Sequence, residues 1–232
     1  MTTSEKIPEH LGVIIDGNRR WAKEKSMPSF EGHRRGMDNV RRIGEWCYKK
    51  GVKIITFYAF STENWNRSKI EIAYLMKLLE KSVSGKYLSD LHDKKIRLQV
   101  LGQKERLPRS LQDKIAKAEK LTENNKSGIL NLAVSYGGRT EIARAIKRII
   151  EKKTPPGEIT EDLISENLWT QGMPFPDLII RTGGEQRLSN FLIWQSAYSE
   201  LYFTNKYWPD FSENDIDKAF SDFSQRERRF GK

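Results

Sequence analysis

The stretch LGVIIDGNRRWA, residues 11–22, determines how the rest of the chain is interpreted. Residues 11–15 are continuously apolar and run into Asp16, Gly17 and Asn18, which indicates a buried strand followed by a turn. A strand buried on both faces is typical of a parallel sheet, because helices cover both sides of such a sheet. This stretch therefore predicts a parallel α/β fold with polar residues where a strand ends.

The same alternation of strands and helices continues outward from this stretch. Further apolar runs predict strands at residues 53–60, 96–101, 129–136, 177–181 and 200–203. Amphipathic patterns predict helices at residues 33–50, 68–86, 111–121, 140–153 and 215–223. A breaker loop, TPPG at 154–157, does not interrupt the pattern. We expect one α/β domain over residues 1–232, with a mainly parallel six-stranded sheet flanked by helices.

The amino-acid composition excludes some classes of protein but does not identify a function. The 232 residues carry 41 Lys and Arg against 31 Asp and Glu, a formal charge of +10, which favours anionic partners. Cys47 is the only cysteine, so an internal disulfide and a thiolate zinc site are excluded. The sequence shows neither the apolar core of a signal peptide nor a run long enough to cross a bilayer. We expect a cytoplasmic protein whose membrane contact, if it has one, is peripheral at the inner face.

Four polar clusters follow strands or end the chain, and ligands of such sheets bind beyond the strand carboxyl ends. They are residues 16–21, 61–67, 181–190 and 226–231. In the first, glycine allows close backbone approach, arginines bind anions, and Asp16 is placed to bind Mg²⁺. Each cluster also has an ordinary interpretation: a capped turn, a capping loop with a core Trp65, a Gly-Gly loop, and a solvated tail.

The motifs taken together resemble a known family. They are DGNRRWA (16–22), EGHRRG (31–36), YAFSTENWNR (58–67), NLAVSYGGR (131–139), IIRTGGEQRLSNFLIWQSAYSELYF (179–203) and RERRFG (226–231). In this order they resemble the cis-prenyltransferases of the undecaprenyl diphosphate synthase type, over residues 10–231. The chain lacks the DDxxD repeats of trans-prenyltransferases.

The resemblance implies a role for each matching position. Asp16 and Asn64 match the catalytic residues, a Mg²⁺-associated aspartate and a proposed proton acceptor. Asp16 and Glu200 match the metal-associated acids. The remaining positions match substrate-binding residues: Gly17, Asn18, Arg19, Arg20, Trp21 and His33 for the allylic diphosphate, Ser61, Thr62, Glu63, Trp65 and Arg67 for the reacting ends, Arg181, Arg187, Leu188 and Ser189 for isopentenyl diphosphate, and Arg229 and Gly231 for the neighbouring subunit's site. Ser29 departs from the family, which often has a basic residue there.

The resemblance also implies the reaction. We expect isopentenyl diphosphate to be condensed onto an allylic diphosphate, by default farnesyl diphosphate, giving undecaprenyl diphosphate, the precursor of the carrier lipid of cell-wall synthesis. Mg²⁺ would be the cofactor and the enzyme a homodimer without a nucleic-acid partner. The product needs a hydrophobic tunnel, and one helical face is a candidate wall, although ordinary core packing also explains it. That face contains Ile72, Leu75, Met76, Leu79 and Val83.

Two other functions remain open at the level of sequence. The pI of about 9.6 and the six tryptophans suit a nucleic-acid-binding module, although the arginines lie with glycines at strand ends. A non-catalytic subunit of a heteromeric prenyltransferase would be expected to lose Asp16 and Asn64, and this chain has both. We therefore expect an active homodimer.

Overall fold

The sheet has six strands, as the sequence predicted, and all of them are parallel, where the prediction was a mainly parallel sheet. The computed structural model describes residues 6–226. The strands are β1 (His10–Ile14), β2 (Ile54–Ser61), β3 (Ile96–Leu101), β4 (Gly128–Tyr136), β5 (Leu178–Arg181) and β6 (Glu200–Phe203). Their order across the sheet is β3-β4-β2-β1-β5-β6. The chain thus starts near the middle of the sheet and builds outward on both sides.

Helices cover both faces of this sheet. They are α1 (Asn18–Glu24), α2 (Ser29–Lys50), α3 (Lys69–Ser82), α4 (Gly85–Asp93), α5 (Arg109–Thr122), α6 (Gly138–Glu151), α7 (Glu161–Ser165) and α8 (Glu213–Gln225). Among residues 6–226, none of these helices is both long and apolar enough to cross a membrane.

The prediction of one helix over residues 68–86 is wrong. The structure divides this segment into α3 and α4, because Ser84 is extended and Gly85 has a φ of +59°. Helix α2 begins at Ser29, four residues before the predicted start at residue 33, and follows Pro28. The short helix α7 has no counterpart in the sequence interpretation.

The core lies on both sides of the sheet, since successive side chains of a strand point to opposite faces. Val13 belongs to the larger apolar cluster with Phe57 and Trp208, whereas Ile14 belongs to a second cluster with Phe191. Packing of this kind, at roughly 25 cal/mol per Å² of apolar surface buried, holds the strand ends rigidly in place.

The register of the central strands decides where the polar clusters meet. Ile14 at the end of β1 is aligned with Tyr58 of β2 on one side and with Arg181 of β5 on the other. The residues that follow β1, β2 and β5 therefore emerge at one edge of the sheet. Three clusters separated in sequence become neighbours there.

Candidate active site

A cleft of about 1030 Å³ opens at the carboxyl ends of β1, β2 and β5. Most of its polar lining comes from residues that the sequence predicted, in the first three clusters or, for His33, in the EGHRRG motif. These residues are Asp16, Gly17, Asn18, Arg19, Arg20, His33, Ser61, Glu63, Asn64, Arg67, Arg181 and Ser189. The structure therefore brings together twelve of the predicted site residues in one place.

Asp16 lies at the centre of this polar lining. Its Oδ2 accepts a hydrogen bond of 3.0 Å from Nη2 of Arg181, and its Oδ1 lies 3.1 Å from Nη2 of Arg20. The backbone amide of Gly17 also donates to Oδ1 at 2.6 Å. The carboxylate is held between two guanidinium groups, and this arrangement fixes its direction.

Arg181 is buried at the end of β5, with 5% of its side chain exposed. Besides Asp16, its guanidinium donates to Ser189 Oγ at 2.7 Å and to the backbone carbonyl of Arg187. Its Nε atom is buried and has no hydrogen-bond partner. An unpaired buried donor is costly, and the described residues supply no partner for this Nε–H.

The turn between β1 and α1 depends on glycine. Gly17 has a φ of +101°, and a Cβ atom on it would lie 2.6 Å from the ring of Tyr207. Helix α1 begins immediately afterwards at Asn18, where the first-turn amides have no carbonyl to bind within the helix. Arg19 and Arg20 extend from the same turn into the cleft. The turn therefore presents amides and cations to a single volume.

A second charged group stands opposite this turn. Glu71 of α3, buried and not predicted from sequence, accepts from Arg67 Nη1 at 3.0 Å and contacts His33 Nε2 at 3.1 Å. Arg19 Nη1 lies 4.0 Å from the same carboxylate. Burial lowers the pKa of His33 and of Arg67. Glu71 gathers three predicted substrate-binding residues around one carboxylate.

The segment after β2 is a short 3₁₀ helix, Thr62–Asn66, with a capping box. The backbone amide of Ser61 donates to Asn64 Oδ1 at 3.1 Å, and the Ser61 hydroxyl accepts from the Asn64 backbone in return. The Asn64 oxygen is therefore engaged in holding the loop, and an amide oxygen is in any case a weak base. This geometry favours an orienting role for Asn64.

Several predicted residues lie beside the cleft and do not line it. Trp21 is buried beneath Lys25 and Arg35, and Trp65 bonds Ser135 Oγ at 2.9 Å and packs edge-on against Phe60. The other residues outside the lining are Thr62, Arg187, whose guanidinium pairs with Glu185, and Leu188, which packs against the second apolar cluster. Arg229 and Gly231 lie outside the described residues.

Glu200 does not join Asp16 within the chain. It begins β6, level with Leu178 at the start of β5, whereas Asp16 lies beyond the opposite ends of the strands. Its carboxylate pairs with Arg226 Nη1 at 2.8 Å. The predicted pair of metal-associated acids is therefore separated by the length of the sheet.

The rest of the cleft is apolar. Its apolar lining consists of Ile14, Ile15, Met27, Met37, Tyr58, Ala59, Leu75, Leu78 and Leu79. Of the predicted helical face, Leu75 and Leu79 line the cleft, while Met76 and Val83 belong to the core. The cleft thus has a charged end and an apolar wall. The structure does not show a closed tunnel.

The sequence interpretation missed some residues in or beside the cleft. Glu71, which does not line the cleft itself, could have been considered because it lies four residues after Arg67, with which it forms an ion pair. Lys23 lies one turn after Arg19 and Arg20 and also reaches the lining. Asn190 lies in the third polar cluster and Tyr58 in a family motif, but neither was assigned a role, because their contribution depends on how the strand ends align.

The residues present fit one divalent cation bound largely by its substrate. Among residues 6–226 no group of three or more His, Cys, Asp or Glu side chains could hold a metal alone. Asp16 offers one carboxylate beside cations that attract a diphosphate. Mg²⁺ commonly takes one or two carboxylates together with phosphate oxygens and waters, so this donor set suits it.

Comparisons with known proteins identify the family of this chain. A family model described as "Putative undecaprenyl diphosphate synthase" matches residues 14–231. An isoprenyl transferase of Streptococcus agalactiae is 48% identical over 98% of this chain and 94% of the relative, and one of Clostridium tetani is 48% identical over 98% and 90%.

Solved structures are similar as well. Lavandulyl diphosphate synthase from Lavandula x intermedia, in complex with dimethylallyl diphosphate, superposes with a TM-score of 0.93 at 39% identity, covering 97% of this chain and 98% of that one. A probable undecaprenyl diphosphate synthase from Campylobacter jejuni gives 0.81 at 35% identity, covering 98% and 100%. The fold is that of the cis-prenyltransferases, and the relatives show that the protein is a prenyl transferase. The chain belongs to the undecaprenyl diphosphate synthase family.

Proposed function

We propose that this enzyme condenses isopentenyl diphosphate onto farnesyl diphosphate, repeatedly, to make undecaprenyl diphosphate for a cell-wall carrier lipid. The observation that carries the proposal is one cleft with two chemically different ends. The Asp16–Arg20–Arg181 group offers charge-assisted bonds to a diphosphate, and the wall around Leu75 and Leu78 offers an apolar surface to a prenyl tail.

The charged end supports departure of the leaving group. In the reaction the allylic carbon–oxygen bond breaks, a carbon–carbon bond forms from the isopentenyl alkene, and one proton is lost. Arg20 and the amides of the α1 turn would stabilise the charge that develops on the leaving diphosphate. Asp16 would hold both arginines in place. Bound at Asp16, Mg²⁺ would supply Lewis-acid stabilisation of that diphosphate.

The second substrate would bind on the β5 side. Arg181 and the Ser189 hydroxyl are bonded to each other at 2.7 Å and face the cleft, which suits the diphosphate of isopentenyl diphosphate. Asn64 would orient the reacting end, and the departing diphosphate is the stronger base for the released proton. Two anionic substrates would thus be bound side by side with their reactive carbons in contact.

The remaining parts of the proposal concern assembly and location. Residues 1–232 would act as one catalytic domain of a cytoplasmic homodimer, with Arg229 and Gly231 reaching the neighbouring subunit's site. The apolar product would require peripheral contact with the membrane at release. We do not place Glu200 at the Asp16 metal site of its own chain, because it lies at the other end of the sheet.

The test is incubation of the purified protein with Mg²⁺, farnesyl diphosphate and labelled isopentenyl diphosphate, followed by sizing of the lipid product. We expect a product of eleven isoprene units, which would define undecaprenyl diphosphate. A product of fewer units would still support a prenyl transferase but would contradict the proposed length of eleven units. No product, together with salt-sensitive RNA binding, would favour the nucleic-acid alternative. Activity that appears only with a second subunit would favour the heteromeric one.

A further inference from the structure

Asn190 connects three loops that meet at the cleft. Its Nδ2 donates to Glu63 Oε1 at 3.1 Å, in the segment after β2. Its Oδ1 accepts from the backbone amide of Arg139 at 2.9 Å, and its carbonyl accepts from Gly138 at 2.7 Å, both at the start of α6 after β4. Asn190 itself follows β5. One side chain therefore ties the ends of β2, β4 and β5 together.

The backbone around Asn190 is suited to this residue. Ser189 and Asn190 have φ values of +48° and +68°, in the left-handed region, where asparagine is among the best tolerated residues after glycine. A Cβ atom on Gly137 would lie 2.6 Å from Asn190 Nδ2 and 2.7 Å from Thr62 Oγ1. The close approach of the loops therefore requires glycine at position 137. On the facing loop, Asn190 adopts a left-handed backbone conformation that asparagine tolerates well.

This connection leads directly to the buried arginine. Ser189, the neighbour of Asn190, accepts from Arg181 Nη1 at 2.7 Å, and its carbonyl accepts from the hydroxyl of Tyr58 at 3.3 Å. Arg181 in turn bonds Asp16. If Asn190 moved, the Ser189 hydroxyl would move with it, and the guanidinium of Arg181 would lose one of its fixed partners.

We propose that Asn190 is a positioning residue for the isopentenyl diphosphate pocket, acting through its bridge to Glu63 and its hold on Ser189. This inference rests on the proposed function, because it assigns a role within that pocket. It concerns the direction of Ser189 and Arg181 and not contact with the reacting carbons. Loss of the bridge therefore weakens binding of isopentenyl diphosphate more than binding of the allylic substrate.

The donor and acceptor of the Asn190–Glu63 hydrogen bond can be exchanged by substitution. Asn190→Asp keeps the left-handed preference and the bond from the Arg139 amide, but it places a second carboxylate against Glu63. Glu63→Gln then restores a donor, since the glutamine amide can donate to the new aspartate. In the double variant Asn190→Asp/Glu63→Gln the hydrogen bond is present again with donor and acceptor exchanged.

The experiment compares the wild type, both single variants and the double variant. Calorimetric titration with isopentenyl diphosphate alone gives a Kd without turnover, and steady-state assays give KM for each substrate. We expect Asn190→Asp to raise both values for isopentenyl diphosphate about tenfold, with KM for farnesyl diphosphate within about twofold of wild type. The double variant should recover most of this loss relative to Asn190→Asp. Asn190→Gly removes the side chain, and glycine can adopt the left-handed backbone conformation of this position. This variant should also raise KM for isopentenyl diphosphate.

Two controls separate positioning from folding. Asn124→Asp makes the same change at an exposed asparagine shortly before the start of β4, at the strand ends opposite the cleft, and should leave both values unchanged. Unfolding temperatures of all variants should agree within a few degrees. A double variant no better than Asn190→Asp, or equal losses for both substrates, would overturn the inference alone. A wild type that neither binds nor consumes isopentenyl diphosphate would overturn the proposed function and the inference with it.

Discussion

Arg181 donates to Asp16 across 3.0 Å, and this bond joins the ends of two strands that are 165 residues apart in sequence. The pair lies at the charged end of the cleft and includes a buried guanidinium with a free Nε atom. The pair places anion-binding groups beside the apolar wall of the cleft.

Removing the carboxylate should stop the reaction. We expect Asp16→Ala to lower kcat at least about a hundredfold, because the arginines lose their anchor and the proposed metal loses its protein ligand. The fold should survive at a cost of about 1–3 kcal/mol, since Arg181 keeps its bonds to Ser189 and Arg187. Isotope-incorporation rates and denaturant unfolding measure the two effects. Turnover like that of the wild type would remove Asp16 from the mechanism.

Replacing one carboxylate oxygen of Glu71 by an amide nitrogen should lower the stability of the protein, because Glu71 contacts His33, Arg67 and Arg19. Glu71→Gln leaves the buried contacts of His33 and Arg67 only partly satisfied, so we expect a loss of about 1–3 kcal/mol in the free energy of unfolding. A raised KM for at least one substrate should accompany it. Glu80→Gln is the control, because Glu80 pairs with Lys114 at the surface, where ion pairs contribute less than about 1 kcal/mol. Equal losses in the two variants would argue against a special role for Glu71.

Stability should fall as the solution becomes mildly acidic. Burial lowers the pKa of His10 to about 4, while its value in the unfolded chain is near 6.5. Between these values the unfolded state binds the extra proton, so stability is complete above pH 6.5 and is lost as the pH falls toward 4. The contribution is on the order of 3 kcal/mol.

Chemical denaturation from pH 7.5 to 4.5 measures this dependence. His10→Gln removes the titrating group, so the difference in free energy of unfolding between wild type and variant should shrink as the pH falls. A difference that stays constant over this range would show that His10 does not carry the dependence.

A methyl group at the β1–α1 turn should be poorly tolerated. Gly17→Ala adds a Cβ atom 2.6 Å from Tyr207 at a φ of +101°, and we expect a loss of about 1–3 kcal/mol and of activity. Gly157→Ala meets nothing within 4 Å and has an ordinary φ, so it should be neutral or slightly stabilising. Thermal unfolding of the two variants decides the matter. A stable, active Gly17→Ala would contradict the close fit of this turn.

Bulk on the apolar wall should shorten the product. Leu75→Phe narrows the cleft where we propose that the prenyl tail lies, so product sizing should show fewer isoprene units with little change in the first condensation. Ile72→Phe is the matched control, since Ile72 is half-buried on the same helix but does not line the cleft. If both variants gave the wild-type length, the tail would not lie along this wall.

The sequence predicted most of the sheet and much less of the contacts within the site. Continuous apolar runs such as residues 11–15 identified the central strands, because burial on both faces leaves a clear signal, and the half-buried edge strand β6 was also predicted. The division between α3 and α4 was missed, since the apolar pattern continues across a break that depends on the backbone of Gly85. Residues 61–67 and 181–190 predicted the site, but the capping role of Asn64 and the remoteness of Glu200 follow only from three-dimensional register.

The decisive experiment is a crystal structure with a non-hydrolysable farnesyl diphosphate analogue and Mg²⁺. We expect its diphosphate oxygens to be bound by Arg20 and the α1 turn, the cation to lie at Asp16, and the prenyl tail to lie against Leu75 and Leu78. A diphosphate bound away from Asp16, or a tail directed to solvent on the other side of the cleft, would contradict this expectation.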